Sequence, residues 1–303
     1  RWGYLPQDVH INSVTISRRA NKWYVSIQVD EDIKVTTPLG KRLGIDMGMA
    51  CDSFMTVTED DGKTYRIKNS LPLKKYSIKL KRLQRGLSRK KKGSKNWIKW
   101  KDRISRTHRK IWDIRSNHIH NATSRITYDS SVIAIEDLNV KQMLEMGKGE
   151  FGVHGRRRQL SDSGIGEALR QIDYKTKWKG IKLIKVDQKE NPSTQTCCKC
   201  GNRKRGSDKL GLEDRIYHCN MCGNVMDRDE NSSHYLMTFA VVQTGSKTPV
   251  EECSEGIPEK QEVGPGRPGK TDTQLLGMPK QKIEKPLTGR YINEEVSEAV
   301  IAA

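Results

Sequence analysis

Four of the seven cysteines fall into two short pairs, Cys197 and Cys200 in "CCKCG" and Cys219 and Cys222 in "CNMCG". No other feature restricts the possible folds so tightly. The pattern is C-x2-C-x18-C-x2-C with a glycine after each pair. Two tight knuckle turns of this kind present four thiolates tetrahedrally to one Zn²⁺, so the segment reads as a structural zinc ribbon. Four ordinary buried or free cysteines are the plain alternative, and the paired C-x-x-C-G spacing weighs against it. Cys198 lies between two ligands but has the wrong neighbour spacing for a knuckle, and Cys51 and Cys253 are also left over. Paired spacing of this type points to metal ligation in a reducing compartment. Lys199, Arg203, Lys204 and Arg205 crowd the loop between the knuckles and read either as nucleic-acid contacts or as a solvated charged loop.

Charge supplies the second constraint. The formal net charge is +19, from 56 Lys and Arg against 37 Asp and Glu, far more than solubility needs, and nucleic acid is the first candidate partner. Between residues 74 and 110 there are 17 basic residues and one acid, Asp102. Leu80, Leu83 and Leu87, then Trp97, Trp100, Ile104, His108 and Ile111, step by three or four. That periodicity predicts two helices over about 74–126, joined near "KKKGSKN", which carries Lys90, Lys91 and Lys92. Like charges this dense repel along a helix, so the face is most stable when something anionic covers it. Trp97 and Trp100 read either as stacking platforms or as core. No run of 18 apolar residues exists, and the opening "RWGYLPQDVHINSV" has neither Met nor a signal-peptide core. The expectation is a soluble, cytoplasmic protein, associated with the nucleoid when bound to DNA, whose natural start lies before residue 1.

The remaining pattern is α/β. Residues 11–38 alternate around the turn-like "RRANK" as antiparallel strands, and "GIDMG", "FMTVT" and "KTYRI" predict a three-stranded meander. "SSVIAIEDL" (130–138) reads as a central strand ending in acids. "GKGEFGVHGRRRQL" (147–160) is rich in Gly and Arg and reads as a loop, in which Arg156, Arg157 and Arg158 can hold a phosphate backbone or stand solvated. "SDSGIGEALRQIDYKTKWKG" predicts a helix opened by capping residues, and "IKLIKVD" a further strand, which together imply parallel neighbours. A last helix follows the ribbon, and the tail 244–303 reads as disordered.

Asp46 within the first meander strand, Glu136 at the end of "VIAIE" and Asp229 at the start of the last helix are costly to bury unless paired or metal-bound. Alone, each reads as a cap, turn residue or ion-pair partner. Together they can hold two Mg²⁺ ions for phosphodiester hydrolysis. Asp137 is expected to point away from the strand end, and Asp227 toward the helix cap.

"GIDMG", "IAIEDLNV", "STQTCCKCG", "CNMCG" and "DRDENSS" occur in the order and rough spacing of the RuvC-like nuclease half of the transposon-encoded TnpB (OrfB) family, which is related to compact type V CRISPR effectors. The resemblance covers about residues 11–242. It implies an RNase H-like (RuvC) domain split by a helical insertion and a zinc ribbon, preceded by the end of an oligonucleotide-binding-like β-barrel. The divisions are then 1–38 barrel module, 39–192 nuclease core with the basic insertion at about 74–126, 193–226 zinc ribbon, 227–243 last helix and 244–303 tail. It also implies RNA-guided, Mg²⁺-dependent DNA cleavage, with guide RNA and target DNA as partners and the catalytic triad at Asp46, Glu136 and Asp229. Two departures stand out. Ser232 and Ser233 replace the two alanines usual after the Asn of the last motif, and only 45 residues precede Asp46, where the family has a recognition lobe and most of the barrel. A nucleic-acid-binding protein that does not cut, or a transposase or recombination accessory protein, are the alternatives.

Overall fold

The fold is that of a computed structural model, which describes residues 10–20, 22–30, 39–145, 153–211 and 213–242. The tail 244–303, Cys253 and residues 1–9 and 31–38 of the segment read as a barrel module lie outside the described residues. Strands β1 (Ile11–Arg19) and β2 (Lys22–Val29) form an antiparallel hairpin. Its register pairs Val14 with Ile27, Ile16 with Val25 and Arg18 with Trp23, so one face is apolar, and it stays exposed.

Five strands make the central sheet: β3 (Lys41–Met47), β4 (Met55–Glu59), β5 (Thr64–Ile67), β6 (Ser130–Glu136) and β7 (Lys182–Val186), in the order β5-β4-β3-β6-β7. β3–β4–β5 is the expected antiparallel meander, whereas β3, β6 and β7 run parallel. The insertion between β5 and β6 is a helical hairpin, α1 (Pro72–Ser88) and α2 (Lys95–Ile126), whose boundaries match the apolar periodicity. Ser94 starts α2 by accepting the N–H of Trp97 at 3.1 Å. After β6 come α3 (Val140–Glu145), α4 (Val153–Ser163) and α5 (Ile165–Lys179), and the chain ends its described course in α6 (Arg228–Val242).

Period-two alternation gives the sheet two apolar faces. Leu43, Ile45, Val57, Ile133 and Ile135 pack against Ile119 and Ile126 of α2 and Ile165, Ala168 and Ile172 of α5. Each fully buried Ile contributes about 1.5–3 kcal/mol. The opposite face presents Val132 and Ala134 to Ala240 and Phe239 of α6. Gly44 sits on this face, where a Cβ would fall inside the backbone of Ser233 and Met237.

The Gly- and Arg-rich stretch departs from expectation from residue 153 onward. Arg156–Arg158 are helical, because Leu160 is buried and Gln159 anchors to the Met49 carbonyl at 2.7 Å, and Arg is itself a good helix former. The "SDS" segment does not cap α5 either. It ends α4, and Gly164 (φ 73°) breaks the chain between the two helices. Asp162 instead accepts the N–H groups of Leu73 and Lys74 at 2.9 Å each, capping α1 from across the fold, and pairs with Arg115 at 2.8 Å.

Because backbone, not a mobile side chain, meets Gly44, Gly44→Ala should destabilise the fold by more than about 3 kcal/mol. Urea melts of the variant beside the parent check this.

Candidate active site and metal centre

β3 and β6 are adjacent and parallel, with Ile45 opposite Ile135, so the next residues, Asp46 and Glu136, end neighbouring strands on the face that α6 covers. The carboxyl end of a parallel pair is the usual place for a ligand in such sheets. Both acids are 6% exposed. Asp229 enters from the first turn of α6 and is half-buried, with the Arg228 guanidinium 3.8 Å away. Burial, then the charges of Glu136 and Asp229, holds the Asp46 carboxyl well above its ordinary range, against the pull of Ser232 and Arg228. Burial and then Asp227 raise Asp229 as well. The structure therefore brings the three predicted acids into one electrostatic cluster with Asp46 in the middle. Their oxygens do not converge within 4.8 Å; among the described residues only the four cysteines do so.

Of the two further acids, Asp227 behaves as read from the sequence. Asp137 is exposed, and Asp227 caps α6 by accepting the N–H groups of Asp229 at 2.9 Å and Glu230 at 3.3 Å. Arg66 of β5 holds that cap at 2.6 Å and reaches Glu230 at 3.2 Å. Ser233 bonds Thr58 at 2.7 Å and His234 bonds Thr64 at 3.0 Å, so α6 is clamped to the meander beside its acid.

Three residues of the site were not read from the sequence as site residues, although Ser232 stood out as a departure from the last motif. Gln188 donates to Glu136 Oε2 at 2.6 Å, and Ser193, in a single 3-10 turn (Ser193–Gln195), donates to Glu136 Oε1. Ser232 contacts Asp46 Oδ1 at 3.0 Å and Ser193 Oγ at 2.5 Å. Ser232 has one hydroxyl proton and donates to one of these at a time. A proton on Asp46, in line with its raised pKa, lets all three contacts be made at once.

In the ribbon, the Sγ atoms of Cys197 and Cys222 are 3.6 Å apart and those of Cys200 and Cys219 3.5 Å, and all four lie within 4.8 Å of one another. A tetrahedron with Zn–S bonds of about 2.3 Å has edges of about 3.8 Å, so the set fits a metal ion of that kind. Each knuckle closes with a glycine at positive φ, Gly201 (70°) and Gly223 (69°), whose N–H bonds the carbonyl of Cys197 or Cys219. Burial opposes the Cys219 thiolate, but the backbone amides of Cys222 and Met221 outweigh it and bring the thiol down to about 7. Cys198 stands outside the cluster, as expected, 3.6 Å from the Met226 sulfur and with burial pushing its thiol up to about 12. β8 (Ile216–His218) and β9 (Val225–Asp227) complete the ribbon. The buried Asn231 of α6 clasps it by accepting the Cys198 N–H at 3.1 Å and donating to the Thr196 carbonyl at 2.7 Å.

The predicted nucleic-acid contacts lie on several surfaces. Lys90, Lys91 and Lys92 are exposed in the α1–α2 turn. Trp100 is a packing residue, its ring against Gly86 of α1 and under Arg103 at 5.4 Å, while Trp97 is half-buried beneath Lys101 at 5.2 Å. Trp100 also borders a cleft lined by Lys81, Arg82, Arg85 and Arg89. Arg156 and Arg158 are exposed and Arg157 half-buried, and Arg158 shares a cleft with Lys74 and the loop after Asp46. Arg205 is exposed beside Lys189, Lys204 and Lys209 in a cleft that includes Gln188.

Two outcomes follow from these geometries. A raised carboxyl pKa stabilises the fold at low pH, and that stability is lost as pH climbs from the unfolded value near 3.8 through the folded value. Asp46→Asn escapes this loss, so the metal-free variant should be more stable than the parent by about 1–3 kcal/mol at neutral pH, with the gap closing toward pH 4. Thermal melts in chelator across that range read it. Replacing Cys197 and Cys200 by Ser should abolish stoichiometric zinc binding and lower the melting temperature by on the order of 10 °C.

Among known proteins, the family model OrfB_IS605, described as "Probable transposase", matches residues 24–147, and the Cas12f1-like TNB domain matches residues 166–236. A Streptomyces pristinaespiralis protein named "Putative RNA-guided DNA endonuclease" is 31% identical over 270 residues, covering 88% of this chain and 61% of that protein. The similarly named InsQ of Escherichia coli K12 is 32% identical over 263 residues, covering 83% and 61%. The chain thus spans about 61% of the length of these relatives. In fold, it resembles the protein of a Cas12f1–sgRNA–target DNA complex solved by cryo-EM, with a TM-score of 0.51, 18% identity, and coverage of 76% of this chain and 46% of that one. With both family models matched in order along the chain, and with relatives of this similarity, the protein belongs to the transposon-encoded TnpB (OrfB) family.

Proposed function

We propose that the chain is the nuclease portion of an RNA-guided DNA endonuclease with an RNase H-like (RuvC) core, in which Asp46, Glu136 and Asp229 ligate two Mg²⁺ ions. One observation carries the reading. Three carboxylates from elements far apart in sequence act on one another at the carboxyl end of a parallel strand pair, in a chain of net charge +19. Such a cluster costs the fold stability and is useful for what it binds. The names of the relatives and the strand order support the same reading.

Asp46 feels both other acids, so Asp46, Glu136 and Asp229 would together hold the ions, with Asp46 as the residue common to both of its neighbours. When bound, the ions lower the pKa of the attacking water and neutralise charge on the leaving oxygen. Gln188, Ser193 and Ser232 keep the acids oriented, and Arg66 and Asp227 fix the helix end that carries Asp229. The ribbon holds structural Zn²⁺ and anchors that same helix through Asn231. The basic stripe of α1, Lys90–Lys92, Arg156–Arg158 and Arg205 are the surfaces offered to guide RNA and target DNA, as phosphate contacts that carry affinity. The exposed apolar face of the β1–β2 hairpin supports reading residues 1–38 as part of a barrel module. No described helix is long and apolar enough to cross a membrane. The proposed site of action is the cytoplasm, at the nucleoid.

The test is Mg²⁺-dependent cleavage of single-stranded and duplex DNA matching the guide, by the chain purified with its co-expressed RNA. Asp46→Ala and Asp229→Ala should each lower cutting by at least about 100-fold while RNA affinity stays within about 2-fold, because a lost ligand leaves the basic surface intact. Retained cutting by either variant would sink the assignment.

A further inference from the structure

The two serines of the last motif stand where small, featureless side chains would pack equally well, yet both hydroxyls are engaged. Ser232 is wholly buried, as is Ser193 in the turn before the ribbon. Ser232 Oγ contacts Asp46 Oδ1 at 3.0 Å and Ser193 Oγ at 2.5 Å, and Ser193 donates to Glu136 Oε1. The result is an unbroken polar bridge, Asp46–Ser232–Ser193–Glu136, whose members come from β3, α6, the 3-10 turn and β6.

We propose that this hydroxyl pair is a positioning device. It ties the two carboxylates to each other through the protein and sets the planes in which they meet divalent ions. The inference rests on the reading of Asp46 and Glu136 as metal ligands. The terminal torsion of Asp is broad and roughly two-fold, so a carboxylate without a fixed partner samples many orientations. Here Oδ1 of Asp46 is held by Ser232, while Oδ2 accepts no hydrogen bond from the described residues. Glu136 is held at both oxygens, by Ser193 and by Gln188 at 2.6 Å. Groups that orient a ligand in this way commonly alter metal affinity by about 10–100-fold when removed. The bridge also makes the orientation of one acid depend on the other, because neither serine contacts both carboxylates.

A role in packing alone and a role in positioning differ in what alanine does. Mn²⁺ binding to the full chain, measured by calorimetry and by the loss of the free-ion electron paramagnetic resonance signal, gives a readout apart from cleavage. Ser232→Ala and Ser193→Ala should each weaken Mn²⁺ binding by about 10-fold. The double variant should be little weaker than the worse single one, since breaking either link opens the same bridge. Metal-free melting temperatures should stay within a few degrees of the parent, and cleavage should need more Mg²⁺ yet recover most of its rate at saturation. Unchanged Mn²⁺ affinity in the single variants, or losses that multiply in the double variant, overturns the proposal. If Ser232→Ala fails to fold, Ser193→Ala decides by itself, and parental affinity there overturns the bridge. Asp46→Asn separates the two levels. If it binds Mn²⁺ like the parent, the metal-ligand reading falls and takes the bridge with it. If it loses Mn²⁺ while the serine variants do not, only the bridge falls.

Discussion

The direct seating of the α6 backbone on β3 at Gly44 governs the rest of the arrangement. Without a side chain at that position, the helix lies against the strand so closely that Ser232, in its second turn, reaches the acid two residues along β3. The other contacts that α6 makes at the site assume this approach. Arg66 and the Asp227 cap fix the helix end, Thr58 and Thr64 fix its rotation, and Asn231 joins it to the ribbon. A larger residue at 44 would lift all of these together, which is why one glycine in a five-residue motif matters more than its size suggests.

The ribbon is part of the site's framework as well as a separate small fold. Its knuckles set the backbone at Thr196 and Cys198, both of which bind Asn231, and the turn that leads into it carries Ser193. Any metal held by the cysteines would therefore be linked to the geometry at the carboxylates through a few short hydrogen bonds. The acids themselves sit in unfavourable surroundings: Asp46 and Glu136 are buried, the charges repel, and the guanidinium groups of Arg228, Arg215 and Arg66 offset this only in part at Asp229. The large positive charge lies mostly elsewhere, on the outer helices and the ribbon loop, and does not neutralise them. This separation of signs leaves the negative cluster available to cations and the surrounding surface available to polyanions.

Much of this was legible in the sequence, for identifiable reasons. The cysteine spacing is a local pattern with few alternative meanings, whereas each acid alone had several and stood out only in the company of the other two. The α1–α2 hairpin showed itself through apolar residues at helical intervals, and Asp227 through its place before a helix. Where reading failed, tertiary contacts had overridden local composition. Arg156–Arg158 looked like a loop because Gly surrounds them, but burial of Leu160 and the Gln159 anchor make the segment helical. Asp162 looked like the cap of the helix that follows and instead caps one 89 residues earlier in the chain. Gln188 and Ser193 could not be assigned a role, since isolated Ser and Gln residues carry no spacing signal, and Ser232 stood out only as a departure from the alanine usual at its place; all three acquire meaning from what lies beside them.

The separation along the chain of the parts that meet at the site has a consequence for biosynthesis. Asp46 and Ser232 are in contact but 186 residues apart in sequence, and the helix that supplies both Ser232 and Asp229 is the last described element. A ribosome delivers the sheet and the basic hairpin first, at about 5–20 residues per second. Throughout that interval the emerging chain already displays its basic surfaces but lacks the third carboxylate and the helix that seals the sheet. The order of the elements therefore exposes basic surface before the three carboxylates can meet, and the cluster forms only when α6 folds onto the sheet.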